Sequence, residues 1–361
     1  MDIDLEAVAQ PISPDQPAGP DLRADESRNN IYFRLRDVWD VARRKEREAL
    51  NSDPDHGDQG SSAQTESITA WRSVNSLAAQ LVSGHAKDLE AAAFLIQSSL
   101  RVEGTRGLGV ALTVARILVE NFWNDLYPQI GEEGLSSRLR PIESLSTAPS
   151  LVIEPLRRMA VANSAGQGEI TFSQYLSAAS GRGSPSMPDV ERVAQETDTG
   201  FYVSLFEELS VCQRELATLS QQLDEKSGVD ESGTPQGPSL GDLKKALDDY
   251  VAAVQHLSKG RVGQAVEAAG VEADSPGGDG APSAGVSVPG RLESRSDALR
   301  MLVKVAEFFE RQDPHSLLGA QVRKVVKLAN MSPAEYYSEL LEDHNARLQL
   351  FKLVGIDPPR D

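Results

Sequence analysis

The chain has 361 residues, 40 % of them hydrophobic and 25 % charged, with a formal net charge of −18. That length exceeds what one hydrophobic core usually organises, and the balance of apolar and charged residues describes folded, acidic modules rather than a disordered tail. Such a charge argues against a nucleic-acid partner, whose phosphates require a basic stripe, and a single cysteine, Cys212, rules out an intrachain disulfide. The start, MDIDLEAVAQPISPDQPAG, is acidic with no apolar leader, and no run of about eighteen apolar residues follows. We therefore expect a cytoplasmic protein with no direct membrane insertion.

In chain order the pattern is helical almost throughout. Tyr32, Leu35, Trp39 and Ala42 form a first stripe at steps of three or four, and Trp71, Val74, Leu77, Ala78 and Leu81 a second. The dense basic run Arg43, Arg44, Lys45 and Arg47 is interleaved with Glu46 and Glu48 and reads as a solvated helix face. Between the two stripes, residues Asn51 to Ala63 carry turn formers and acids with nothing to bury, which predicts an exposed loop. Leu89, Ala92, Ala93, Ile96 and Leu100 form a third stripe, and Leu108, Leu112, Ala115, Leu118 or Val119, and Phe122 a fourth, separated by a stop at Glu103-Gly104. A brief strand pairing is expected between Leu151-Val152-Ile153 and Ile170-Thr171-Phe172.

Further on, Leu205, Leu209, Cys212, Leu216, Leu219 and Leu223 recur at heptad spacing, and Leu243, Leu247, Tyr250, Val254 and Leu257 repeat the pattern. The seam fits an antiparallel helical hairpin or a coiled coil between subunits, and two short segments joined by a turn-rich gap favour the hairpin. Residues Glu272 to Pro289 are rich in Gly, Pro, Ser and Ala and read as a flexible linker. Beyond it Leu299, Leu302, Val303, Ala306 and Phe309 mark one helix, with others expected at Gly319 to Ala329 and Ala334 to Leu341. Residues 290–361 balance eleven basic against eleven acidic side chains, so residues 1–289 carry the whole excess of acid. A neutral, small module can self-associate without that repulsion, although small domains are often neutral by chance. The expected architecture is all-α, with a helical bundle at 1–180, a middle hairpin at 181–271, a linker at 272–289 and a small oligomerisation module at 290–361.

Motifs for catalysis or cofactor binding are missing from the sequence: it has no P-loop, no HExxH, no paired CxxC and no GxSxG. The five histidines share no metal-ligand spacing, so neither a metal nor a cofactor is expected, and catalytic residues are not assigned. The glycine-rich stretch Gly104 to Gly109 has no preceding strand and reads as a tight turn between helices rather than a phosphate loop.

Pro17, Gly19, Asp21 and Arg23 open a series that continues through Trp71, then Lys87, Asp88 and Leu89, then Arg101, Gly104, Gly107 and Leu108, and closes at Trp123, Tyr127 and Pro128. In order and spacing these segments resemble the signature of the TssA family of type VI secretion proteins with its ImpA N-terminal domain. Near the C-terminus Pro314, His315 and Ser316 resemble an assembly motif of one branch of the family. Departures are Pro20 for the signature Glu, Asn124 for an Asp and Leu317 for a Pro, and residues 160 to 290 match little. The resemblance implies a non-catalytic scaffold, a homo-oligomeric ring whose partners are the baseplate, sheath, inner tube and membrane complex. Trp71, Trp123 and Tyr127 are read as core and turn residues of the bundle rather than its contact surface.

Overall fold

A computed structural model describes residues 3–261, apart from 26, 28–29, 52–56, 132–133, 148–149, 182 and 230–235, and then residues 302–303, 306, 311 and 318–329. The chain divides into two compact units, Met1–Asp274 and Ser275–Asp361.

In the first unit a short helix α1 (Leu5–Ala9) is followed by two antiparallel helices, α2 (Ile31–Leu50) and α3 (Gly57–Gly84). Their stripes lie where the periodicity puts them: Tyr32, Leu35, Ala42, Trp71, Val74, Ala78 and Leu81 are all buried. The loop expected to run to Ala63 is shorter than that, because α3 already begins at Gly57. Once a packed segment has nucleated a helix, each further residue adds a hydrogen bond for little entropy, so even polar residues extend it.

Helix α4 (Leu89–Phe122) is the centre of the unit and is broken at Gly104, whose φ of 66° is left-handed. Gly107 lets the two halves close up, since a Cβ there would lie 2.6 Å from the Ser99 carbonyl oxygen and 2.8 Å from Glu103 Cβ. The first half lies against α3, where Asn75 donates to Ser99 at 2.8 Å. The second half lies against α9 (Thr199–Ser227), with Thr105 donating to Glu208 and Arg116 paired with Glu215 at 2.7 Å.

The heptad residues Leu205, Leu209, Cys212, Leu216, Leu219 and Leu223 are buried between α4 and α10 (Gly241–Ser258). The seam is thus covered within the chain by an antiparallel hairpin that shares the bundle's core. Residues 181–261 continue that core rather than building one of their own, because the seam's second flank rests on α4. Burial pushes the Cys212 thiol up to about 12, and it donates to the Thr105 carbonyl at 3.2 Å.

Between the two parts lie α5 (Leu135–Glu143), α6 (Ile153–Arg157), a hairpin of β1 (Ala160–Ser164) and β2 (Gly168–Thr171), α7 (Phe172–Ala179) and α8 (Met187–Glu196). The expected partner of residues 170–172 was wrong. Ser150 accepts from the amides of Val152 and Ile153 and starts α6 there, so the nearer run 160–164 pairs with β2 across a tight turn, with Gly168 at φ 85°. Phe172 begins α7 instead of ending a strand, because Thr171 and Gln174 form a reciprocal cap. The protein is otherwise helical among its described residues.

In the second unit the described helix is α11 (Leu318–Ala329), at the position expected for the helix from Gly319 to Ala329. Ala306 is buried. The linker 272–289, the later helix at 334–341 and the motif Pro314, His315 and Ser316 lie outside the described residues.

Replacing Gly107 by Ala should cost about 1–3 kcal/mol in urea unfolding, as overpacking against backbone does. Gly84→Ala, where a Cβ meets nothing within 4 Å, should stay within about 0.5 kcal/mol. Equal stability of the two variants would refute the close approach of the halves of α4.

Candidate functional site: a knot of signature residues at the start of α4

Asp88 precedes the first turn of α4, where four backbone amides lack partners. Its Oδ1 accepts from the amides of Glu90 at 2.9 Å and Ala91 at 3.0 Å. The same carboxylate, almost fully buried, takes a two-pronged contact from Arg23, Nη1 to Oδ2 at 2.5 Å and Nη2 to Oδ1 at 3.3 Å. Arg23 also reaches Glu90 at 2.8 Å and lies 4.3 Å above the ring of Tyr32, whose hydroxyl donates to Glu90 at 2.7 Å. Burial and the Glu90 carboxylate together push the Tyr32 phenol up to about 12.

The backbone on either side of Asp88 binds two other segments. Lys87 N donates to the Ala18 carbonyl at 2.8 Å and Tyr127 N to the Lys87 carbonyl at 3.0 Å, while Leu89 N donates to the Tyr127 carbonyl at 2.7 Å. The Tyr127 hydroxyl returns to the Gly19 carbonyl at 3.1 Å. Gly19 has φ 78°, and a Cβ there would sit 2.4 Å from the His85 oxygen, so only glycine fits where the N-terminal segment crosses the end of α3. The ammonium of Lys87 is buried beneath α1, donating to the carbonyls of Val8 at 2.8 Å and Val82 at 3.2 Å with the Phe122 ring 5.1 Å away. Burial pulls its pKa down to about 8.

The turn after α4 carries Trp123 and a cis Tyr127–Pro128 bond. Arg138 from α5 closes it, donating to the Pro128 carbonyl at 2.9 Å and to the Trp123 carbonyl, with its guanidinium 5.2 Å from the Trp123 ring.

Of the signature residues, Pro17, Gly19, Asp21, Arg23, Asp88, Leu89, Trp123, Tyr127 and Pro128 therefore lie in or beside one knot. Pro17 accepts from Ile12 N at 2.9 Å and Asp21 from Arg23 N at 3.0 Å, which shapes the segment before it meets α4. Trp71 lies apart, under the guanidinium of Arg101 at 4.1 Å, and Gly104 and Gly107 sit at the break in α4. Arg101 is buried and joins three segments, holding Glu46 at 3.0 Å and donating to the Gln97 and Leu151 carbonyls at 2.8 Å each. Tyr32, Glu46, Glu90 and Arg138 take part without any motif that marks them in the sequence. What the arrangement does chemically is tie segments distant in sequence into one body; its charged groups are engaged with one another or with backbone.

Among the described residues no group of His, Cys, Asp or Glu is placed to hold a metal, and no helix is long and apolar enough to cross a membrane.

Comparison with known proteins places this geometry in a family. Residues 9–147, which contain all the signature residues of the knot, match the family described as ImpA, N-terminal, type VI secretion system. The chain is similar to the type VI secretion system component TssA1 of Pseudomonas aeruginosa, 26 % identical over 354 residues and covering 94 % of this chain and 96 % of that one. In fold it resembles the N-terminal domain, including the conserved ImpA_N region, of the TssA component from Burkholderia cenocepacia, with a TM-score of 0.55 at 20 % identity over 72 % of this chain and 96 % of that one. The first 147 residues thus define an ImpA-type helical protein. Residues 9–147 belong to the ImpA N-terminal family of type VI secretion systems, and the likeness to TssA1 extends over nearly the whole chain.

Asp88→Ala should destabilise the protein by about 2–4 kcal/mol, since it removes a helix cap and the two-pronged partner of Arg23, leaving that guanidinium with Glu90 alone. A chemical-denaturation midpoint close to the parent's would contradict the knot's role. Lys87 supplies a pH signature. The unfolded chain holds a proton on Lys87 up to about 10.5, whereas the folded chain loses it near 8. In that window the unfolded state binds more protons, so unfolding free energy should rise with pH. Lys87→Met should flatten this part of the profile, and an identical slope in both proteins would refute the burial of a charged Lys87.

Proposed function

We propose that this chain is a non-enzymatic assembly scaffold of the type VI secretion machine, acting on the cytoplasmic side. Copies of residues 290–361 associate into a ring. Residues 272–289 tether the acidic N-terminal unit, which engages the baseplate and membrane complex and helps to coordinate growth of the inner tube and sheath. The observation that carries this reading is the extent of the likeness to TssA1, which runs over 94 % of this chain and 96 % of the relative and so includes the C-terminal part as well as the ImpA region. Two features support it. The division into two compact units falls at residue 274, inside the Gly- and Pro-rich stretch, and the charge is distributed so that residues 290–361 are neutral while the rest is strongly acidic. A ring of identical subunits would strengthen individually weak contacts by raising the effective concentration of each arm.

Native mass spectrometry of the full chain beside a version ending at Val271 tests the proposal. The full chain should form a closed multimer, and the truncated chain should fall to small species. Monomers in both samples at micromolar concentration would remove the ring and leave a monomeric helical adaptor.

A further inference from the structure

In a chain of net charge −18, a cluster of arginines on one face, outnumbering the exposed Asp40 beside them, requires a reason. Helix α2 carries one. Arg36, Arg43 and Arg47 are spaced by seven and four residues, which brings them within about 40° of one another around the helix axis. Among the described residues none of the three has a carboxylate within the 4.0 Å of an ion pair. Arg43 lies 4.6 Å over the ring of Trp39, which is backed by Phe94 at 4.8 Å and anchored through its indole N–H to Gln97 at 2.8 Å. Glu46, one turn on, faces inward and is shared by buried Arg101 at 3.0 Å and by Arg158 at 2.8 Å, so two guanidinium groups meet one carboxylate there. The Arg158 side chain, at the end of α6, is 40 % exposed, and both it and Arg43 lie near enough to act electrostatically on buried Arg101.

Arg36, Arg47 and Arg158 are exposed and Arg43 is half-buried against Trp39, and all four are arginine, whose planar fork pairs two-pronged with carboxylates. A long polyanion laid across this face would meet the acidic remainder of the unit, which repels it. A short anionic stretch would not. We propose that Arg36, Arg43, Arg47 and Arg158 form a docking surface for a short acidic segment of a partner protein, whose carboxylates bridge neighbouring guanidinium groups. The inference is independent of ring formation, because every residue in it lies in the first unit.

The test uses the full chain and two fluorescein-labelled probes, a glutamate-rich peptide and a single-stranded oligonucleotide of equal charge, followed by anisotropy between about 50 and 200 mM salt. The peptide should bind and weaken as salt rises. Arg43→Glu with Arg47→Glu should lose at least about tenfold in affinity, corresponding to about 1.4 kcal/mol. Arg192→Glu, at an exposed arginine on α8, should bind as the parent does. Unchanged circular dichroism and melting temperature would separate a lost surface from a lost fold. No peptide binding at the lowest salt, equal weakening in Arg192→Glu, or tighter binding of the oligonucleotide through the same arginines would each overturn the proposal.

Discussion

The buried carboxylate of Asp88 answers two needs at once, and the N-terminal half of the molecule depends on it. A helix as long as α4 begins with unsatisfied amides, and a buried carboxylate requires a positive partner. Asp88 supplies the first from its Oδ1 and finds the second in Arg23. Because Arg23 follows the tight crossing at Gly19, the pairing fixes where residues 3–23 run. Because the flanking backbone of Lys87 and Leu89 bonds to Tyr127, it also fixes the chain that leaves the far end of α4. Both ends of the first half of the unit are thereby referred to one point.

The break in α4 has the complementary effect. An unbroken helix of 34 residues would run about 50 Å and present one continuous stripe. With the axis interrupted at Gly104 and drawn together at Gly107, the first half serves α3 and the second serves α9. Gly109 removes the side chain that would otherwise hold α9 away, since a Cβ there would lie 3.1 Å from Val211 Cγ1 and 3.6 Å from Cys212 Sγ. Three glycines in six residues join the bundle and the hairpin into one core, and the stretch that looks like a phosphate loop in the sequence serves packing. Its Thr105 hydroxyl already bonds to the Glu208 carboxylate.

This explains which parts of the structure were legible in the sequence. The stripes through Trp71 and Leu81, or through Leu243 and Leu257, were readable because helical burial repeats locally every three or four residues. The partner of a stripe was not. The heptad of α9 announced a seam and the turn-rich gap announced a hairpin, but the contact with α4 depends on residues about a hundred positions away whose small size carries the information. The same holds for the knot. Asp88 and Arg23 stood out through their resemblance to a family signature, whereas Arg138 matters because its guanidinium reaches the Trp123 and Pro128 carbonyls, and nothing in LSSRLR sets it apart from Arg140. The strand partner failed for a related reason: a β-branched pair at Val152-Ile153 looks like a strand until the Ser150 hydroxyl takes both of their amides and turns the chain into α6.

Charge is where the fold meets the proposed assembly. If neutral C-terminal modules gather in a ring, their acidic N-terminal units are brought near one another, and like charges then repel over a range of about 8 Å at physiological ionic strength. That range is short, so the repulsion acts only between units already close together. Repulsion would keep neighbouring units from collapsing together without preventing each from finding a partner. It would also leave Arg36, Arg43 and Arg47 available, since Glu46, which lies between Arg43 and Arg47 in the chain, is directed inward to Arg101. On this view the excess acid and the basic face are two parts of one arrangement, the first separating copies of the chain and the second selecting what binds between them.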